Sequence, residues 1–257
     1  MIGLDCIFRY KWLFVLIICS LHYWVFAEGE TGQCIWYGVC RNFEENDIEK
    51  SQYCSYNGTA KLLNEDGRQK LSQYCSHLDS GENNTFTCCD NDQIEVMNDN
   101  IERAEFVLSK CPACFHNFLQ PICEMTCSPN QTNFLKVQKI ETDDSEQGKP
   151  YVTNIDFSIS YDYLNATFQS CSQVSYLVFI RVLDLMCGAK GSECTPERWF
   201  SHMGNATGNK YVPFQINYIT ETIDDYIPFN KSTVPCNESV DGKSEKCSCL
   251  DCNQSCS

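Results

Sequence analysis

Basic charge is scarce in this chain: 257 residues hold 19 Lys and Arg against 34 Asp and Glu, with only 4 His. A surface of that balance repels nucleic acid and anionic lipid headgroups, so neither is an expected partner. The acidic residues are spread along the chain, which reads as a solvated exterior and not as a recognition patch. Catalytic signatures are missing as well. No G-x-S-x-G elbow and no H-E-x-x-H helix occurs, and the reading is that the protein is not an enzyme. No Pro/Gly/Ser-rich linker, repeat or low-complexity tract divides the interior, which leaves one large domain. The polar stretch ETDDSEQGK, residues 141–149, reads as a surface loop between strands.

What the chain does have is cysteine, 20 in all. Arg9 and Lys11 precede an apolar run over residues 12–18, and residues 25–27 offer the spacing a signal peptidase accepts. Residues 1–27 therefore read as a secretory signal peptide, their apolar core too short to span a bilayer comfortably, with an uncleaved anchor as the alternative. Residues 28–257 read as one lumenal, cysteine-rich domain with 17 basic and 33 acidic side chains, a net charge of −16.

Cys34, Cys40, Cys54, Cys75, Cys88, Cys89, Cys111, Cys114, Cys123, Cys127, Cys171, Cys187, Cys194, Cys236, Cys247, Cys249, Cys252 and Cys256 remain in that domain. An even count in an oxidising compartment implies nine disulfides. The C-x-x-C pair Cys111 and Cys114 would suit zinc or redox chemistry elsewhere. Here only His77, His116 and His202 could join thiolates, none at finger-like spacing, and no βαβ pattern frames a redox pair, so no metal is expected. On a helix Cys123 and Cys127 share a face, with Cys111 and Cys114 at its entrance. Cysteines three or four apart on a helix are held too far apart to bond each other, so these should reach outward to other segments. Adjacent Cys88 and Cys89, aimed at different partners, would clamp a loop to this helix. Sequons at Asn57, Asn83, Asn130, Asn165, Asn205, Asn230 and Asn237 predict a sugar-coated lumenal surface; an eighth, Asn253, lies between cysteines.

Apolar residues three or four apart predict helices over residues 92–110 and 171–187, the second stopped by Gly188. Thr195 and Pro196 open another that Gly204 closes. Ile155, Phe157 and Ile159 alternate with polar residues, as do Val212, Phe214, Ile216 and Tyr218, and predict strands. The expected class is α+β, helices packed on a small sheet and stapled by cystines. A domain of this size could stand with fewer bridges, so their number suggests a hostile lumen.

CIWYGVC (34–40), TCCD (87–90), CPACFHNFLQPICEMTCSPNQTNFLKV (111–137) and CSCLDC (247–252) closely resemble the lumenal N-terminal domain of the Niemann-Pick type C membrane sterol transporter family, over nearly all of residues 33–256. The resemblance implies helices flanking a small mixed sheet, with a deep apolar sterol pocket. It implies that cholesterol or a related sterol is bound with its 3-hydroxyl buried, received from a small soluble lumenal carrier and passed toward the membrane, with no other cofactor. Gln93 matches the glutamine that hydrogen-bonds the sterol hydroxyl. Trp36, Met97, Asn100, Ile122, Thr126, Pro213, Phe214 and Ile216 fall where the family lines its pocket, and Leu185 and Met186 where sterol is handed over at the mouth. Pairings Cys187–Cys194 and Cys89–Cys127 are implied too.

The resemblance departs at Tyr53, where the family carries a second hydroxyl ligand, an asparagine. A phenol can also donate or accept, but it is larger and stiffer, which leaves the preferred sterol open, plant sterols included. The chain ends at Ser257 with no membrane span following. The family implies the N-terminal part of a longer membrane protein, facing the lumen of a late endosome or lysosome or the cell exterior; a free soluble domain is the alternative. From the residues alone, a mostly apolar cavity with one or two polar groups at its closed end is what a sterol requires, and Gln93, Met97 and Asn100 on one helix supply that mixture. A secreted carrier of a folate- or riboflavin-like vitamin is the competing reading, and a secreted hydrolase a weaker one.

Overall fold

The computed structural model describes residues 33–142, 148–177, 180–221 and 226–256; the signal peptide reading lies outside them. Two strands open the domain, β1 (Trp36–Glu45) and β2 (Ile48–Ser55), paired antiparallel through a two-residue turn. Asn46 and Asp47 both have positive φ, 55° and 58°, as the tight turn between twisted strands demands. After the short β3 (Lys61–Leu62), α1 (Glu65–Tyr74) starts where Asn64 accepts a hydrogen bond from the Gly67 amide. β4 (Phe86–Thr87) pairs with β3 and leads into α2 (Asn91–Leu108), which begins in a reciprocal capping box between Asp90 and Gln93. Pro112 then occupies the first turn of α3 (Pro112–Cys127), where a missing N–H costs nothing.

β5 (Leu135–Thr142) and β6 (Pro150–Ser158) form an antiparallel pair around the polar stretch seen in the sequence, of which residues 143–147 lie outside the described set. α4 (Tyr161–Cys171) follows, then β7 (Ser175–Leu177), β8 (Ile180–Arg181), α5 (Val182–Met186), α6 (Pro196–Met203) and β9 (Gln215–Ile219). The main sheet runs β1-β2-β6-β5, with β9 parallel to β6. β2 meets β6 only at Cys54↔Tyr151, and β9 pairs with β6 from Asn154 onward, so the two share one edge of β6. The fold is the expected α+β arrangement of helices on a small mixed sheet.

Two sequence expectations fail. Residues 171–187 are not one helix: α4 ends at Cys171, and the chain folds back through β7 and β8 before α5. Val174 and Val182 are buried side by side, the Val182 amide donating to the Val174 carbonyl at 2.9 Å, while Asp251 accepts from the Ser175 amide. The apolar spacing that imitates a helix is that of two short strands closing on a buried valine pair. The strand expected from Val212 begins instead at Gln215, because Pro213 has no N–H and its carbonyl is taken by the Gln52 side chain at 2.9 Å. β1 and β2, not anticipated at all, carry the Asn-Asp turn that could have revealed them.

Nine disulfides staple these elements: Cys34–Cys88, Cys40–Cys54, Cys75–Cys123, Cys89–Cys127, Cys111–Cys247, Cys114–Cys171, Cys187–Cys194, Cys236–Cys252 and Cys249–Cys256. All four cysteines of the α3 segment bond outward, and the C-x-x-C pair reaches two different segments. Of the adjacent pair, only Cys89 clamps its loop to α3; Cys88 bonds Cys34 ahead of β1. Among the described residues no helix is long and apolar enough to cross a membrane.

Candidate functional site

The ends of β2 and β9 part where they share the edge of β6, and the segment before β9 fills the gap. The Gln52 bond to Pro213 carries Phe214 onto β2, where its ring lies 5.8 Å from Tyr53 and 5.3 Å from Trp36. Opposite, α2 contributes Met97 and Ile101 and α3 contributes Phe118 and Ile122. Between these walls is a cavity of about 590 Å³, within the range of small-molecule sites. Its walls include Tyr53, Met97, Thr126 and Phe214, all nearly inaccessible, at one extreme, and Leu185 and Tyr211, about half exposed, at the other. The cavity therefore has a closed end among buried side chains and a mouth at α5 and residues 208–211.

Of the residues expected to line a pocket, Met97, Asn100, Ile122, Thr126, Pro213, Phe214 and Ile216 are on its wall, together with Tyr53, Leu185 and Met186. Trp36 stands one layer behind these residues, edge-on to Tyr53 at 5.1 Å, its Nε1 donating to the Thr126 carbonyl at 3.2 Å. Gln93 is also set back, fully buried one turn before Met97 on α2. Its Oε1 accepts from the amides of Gly38 at 2.5 Å and Asp90 at 3.2 Å, which fixes the amide orientation. Its Nε2 is left buried with no partner. Gly38 permits this approach of β1 to α2: its φ is +83°, and a Cβ there would meet Asp90 Oδ2 at 3.1 Å.

Among the described residues the Tyr53 hydroxyl also has no hydrogen-bond partner. Burial, reinforced by the negative charge of Asp90, pushes its pKa well up, so it stays a neutral phenol able to donate. Burial likewise raises Tyr218 on the same wall. Met125, Met203 and Tyr211 line the cavity without having been singled out from the sequence, and Val212, read there only as a strand residue, joins them. For the two methionines the signal was their flexible side chains on helical faces next to named residues; Tyr211 had none. The sequon asparagines are all at least partly exposed. The Asn205 amide is engaged, accepting from the amides of Thr207 and Gly208.

These features define a cystine-stapled α+β domain built around an apolar cavity that is closed at one end. Residues 31–257 match the family model described as Niemann-Pick C1 N terminus, and the chain belongs to that family. It is 32% identical over 250 residues to the NPC intracellular cholesterol transporter 1 of Sus scrofa, covering 95% of this chain and 19% of that protein. It is 33% identical over 236 residues to the NPC intracellular cholesterol transporter 1 homolog 1b of Drosophila melanogaster, covering 87% and 18%. The NPC1-like intracellular cholesterol transporter 1 of Rattus norvegicus is 31% identical over 241 residues, covering 88% and 18%. The chain thus spans about a fifth of the length of these relatives.

Proposed function

We propose that this domain binds cholesterol or a related sterol in the cavity, with the 3-hydroxyl at the closed end beside Tyr53 and Gln93 and the aliphatic tail toward Leu185 and Met186. It acts without catalysis, as the lumenal domain of a longer membrane protein of the late endosome or lysosome. It takes sterol from a small soluble lumenal carrier at the mouth and releases it toward the membrane. The observation that carries the reading is a largely apolar cavity with the neutral Tyr53 phenol on its buried wall and, one layer behind that wall, Gln93 Nε2 buried without a partner. A sterol has one hydroxyl to offer them and a rigid apolar body to fill the rest. Burying about 500 Å² of that body at ~25 cal/mol/Å² gives roughly 12 kcal/mol of gross stabilisation, against about 1 kcal/mol for a hydrogen bond. Affinity comes from the body, and orientation and selectivity from the hydroxyl.

The test is equilibrium binding of radiolabelled cholesterol to the purified domain, competed with plant sterols and with a sterol whose 3-hydroxyl is inverted. Cholesterol is expected to bind and the inverted sterol to compete poorly. Equal competition by the inverted sterol would remove the hydroxyl end from the reading, and absence of sterol binding would remove the reading itself.

A further inference from the structure

The charged residues on the cavity wall run against the charge of the chain. The domain carries about twice as many acidic as basic side chains, yet the described lining includes no Asp or Glu and two cations, Arg103 and Lys210, with His202 beside them. Both cations are exposed, which puts them at the mouth and not at the buried end. Arg103 is steadied by Asn100, whose Oδ1 accepts from Nη1 at 2.9 Å, and Lys210 Nζ lies 5.1 Å from the Tyr211 ring centroid. Neither forms an ion pair with a carboxylate among the described residues. Asp99 and Glu102, neighbours of Arg103 on α2, line a second depression together with Arg103 and Phe106, without forming an ion pair with it. Burial lowers the pKa of His202, which leaves it a neutral donor and acceptor near pH 7.

An apolar slot with a neutral hydroxyl site at one end and exposed cations that form no ion pair at the other fits an amphipathic ligand that is anionic at its exposed end. We infer that the cavity accepts sterols carrying a carboxylate or sulfate on the side chain, with Arg103 and Lys210 pairing with the anion at the mouth. This rests on the sterol orientation proposed above. At the closed end such a ligand behaves as cholesterol does. At the mouth its anion meets two cations in partly solvated surroundings, where each pair contributes modestly and is screened by salt.

The experiment measures direct binding of three labelled ligands to the domain: cholesterol, a cholestenoic acid and the methyl ester of that acid. Wild type is compared with Arg103→Gln/Lys210→Gln. The acid is expected to bind wild type roughly three- to ten-fold more tightly than its ester at low salt, with that ratio falling toward one in the double variant and at high salt. An acid no tighter than its ester, or a ratio unmoved by the double substitution, overturns the inference while cholesterol binding stands. Binding of the acid without cholesterol would keep the cationic mouth and overturn the cholesterol reading; binding of neither overturns both. An unmoved ratio, accompanied by weakened attachment to phosphatidylserine vesicles, assigns the cations to a lipid surface instead.

Discussion

At the residue scale, Tyr53 and Gln93 make separable contributions. The Tyr53 hydroxyl bonds to nothing in the described protein, so Tyr53→Phe is expected to leave thermal stability nearly unchanged. If the hydroxyl meets a sterol, its removal leaves the ligand one partner short and costs about 1–3 kcal/mol, roughly five-fold to more than a hundred-fold in affinity. Unchanged cholesterol affinity in a normally folded Tyr53→Phe protein would strip that residue of its role. Tyr53→Asn installs the asparagine that the family resemblance implies at this position and is expected to retain sterol binding. Gln93→Ala is a different experiment, because Oε1 holds the amides of Gly38 and Asp90. The substitution should lower unfolding free energy by about 1–3 kcal/mol in the empty domain, as well as weakening sterol binding. A chemical melt of the apo protein separates the two effects, and an unchanged midpoint would mean that the buried amides are satisfied elsewhere.

At the scale of elements, the cavity depends on how closely α6 approaches β9. Gly204 ends α6, its carbonyl accepting from the Ile216 amide at 2.9 Å, and a Cβ at 204 would meet the Ile216 carbonyl oxygen at 2.2 Å. Gly204→Ala must push the strand away, costing about 1–3 kcal/mol, and should weaken cholesterol binding because Met203 and Ile216 both line the cavity. Retained stability and affinity would show that the wall can yield. On the opposite side of α3, Glu124 is buried against Lys231 Nζ at 2.8 Å and His77 Nε2 at 3.3 Å. Burial alone would raise its pKa; the bonds from His77, Lys231 and Ser128 outweigh burial and hold it below the ordinary value. A depressed carboxylate stabilises the fold above its unfolded pKa of about 4.3 and loses that contribution as pH falls through the folded value. Glu124→Gln should therefore melt below wild type at pH 6, with the gap narrowing below about pH 4. A gap constant with pH would mean that packing, not charge, sets the difference.

For the molecule as a whole, the disulfides differ widely in what they enclose. Cys111–Cys247 closes a separation of 136 residues and ties the entrance of α3 to the C-terminal segment, whereas Cys187–Cys194 closes 7. In the chain-entropy account the longer loop contributes about 5 kcal/mol and the shorter about 2.4 kcal/mol, the first being an upper figure because other bridges shorten the path. Removing both cysteines of the long bridge should depress the melting temperature more than removing both of the short one. The reverse order would place the stabilisation in local geometry near α5. The unreduced, denatured domain should offer no alkylatable thiol among its eighteen cysteines beyond residue 27, and two or more would break the pairing scheme.

The sequence by itself determined the class of this domain, its dense cystines and its family, because cysteine count, helix caps and the spacing of apolar residues on α2 are local facts that survive without a fold. The apolar face of α2 and the Thr195-Pro196 start of α6 were legible for that reason. Residues 171–187 were not: an apolar residue every three or four positions serves a helix or two short strands equally, and a buried Val174–Val182 contact with Asp251 on the adjoining backbone decided between them. Less than half of the cavity wall could be named from the resemblance, and that Trp36 stands behind it, and that Gln93 spends its oxygen on two backbone amides and keeps its nitrogen free, became visible only once β1, α2 and α3 were packed together. The cations at the mouth were likewise unreadable, since Arg103 and Lys210 are far apart in sequence and acquire a common meaning only where the tertiary structure sets both beside the same apolar opening.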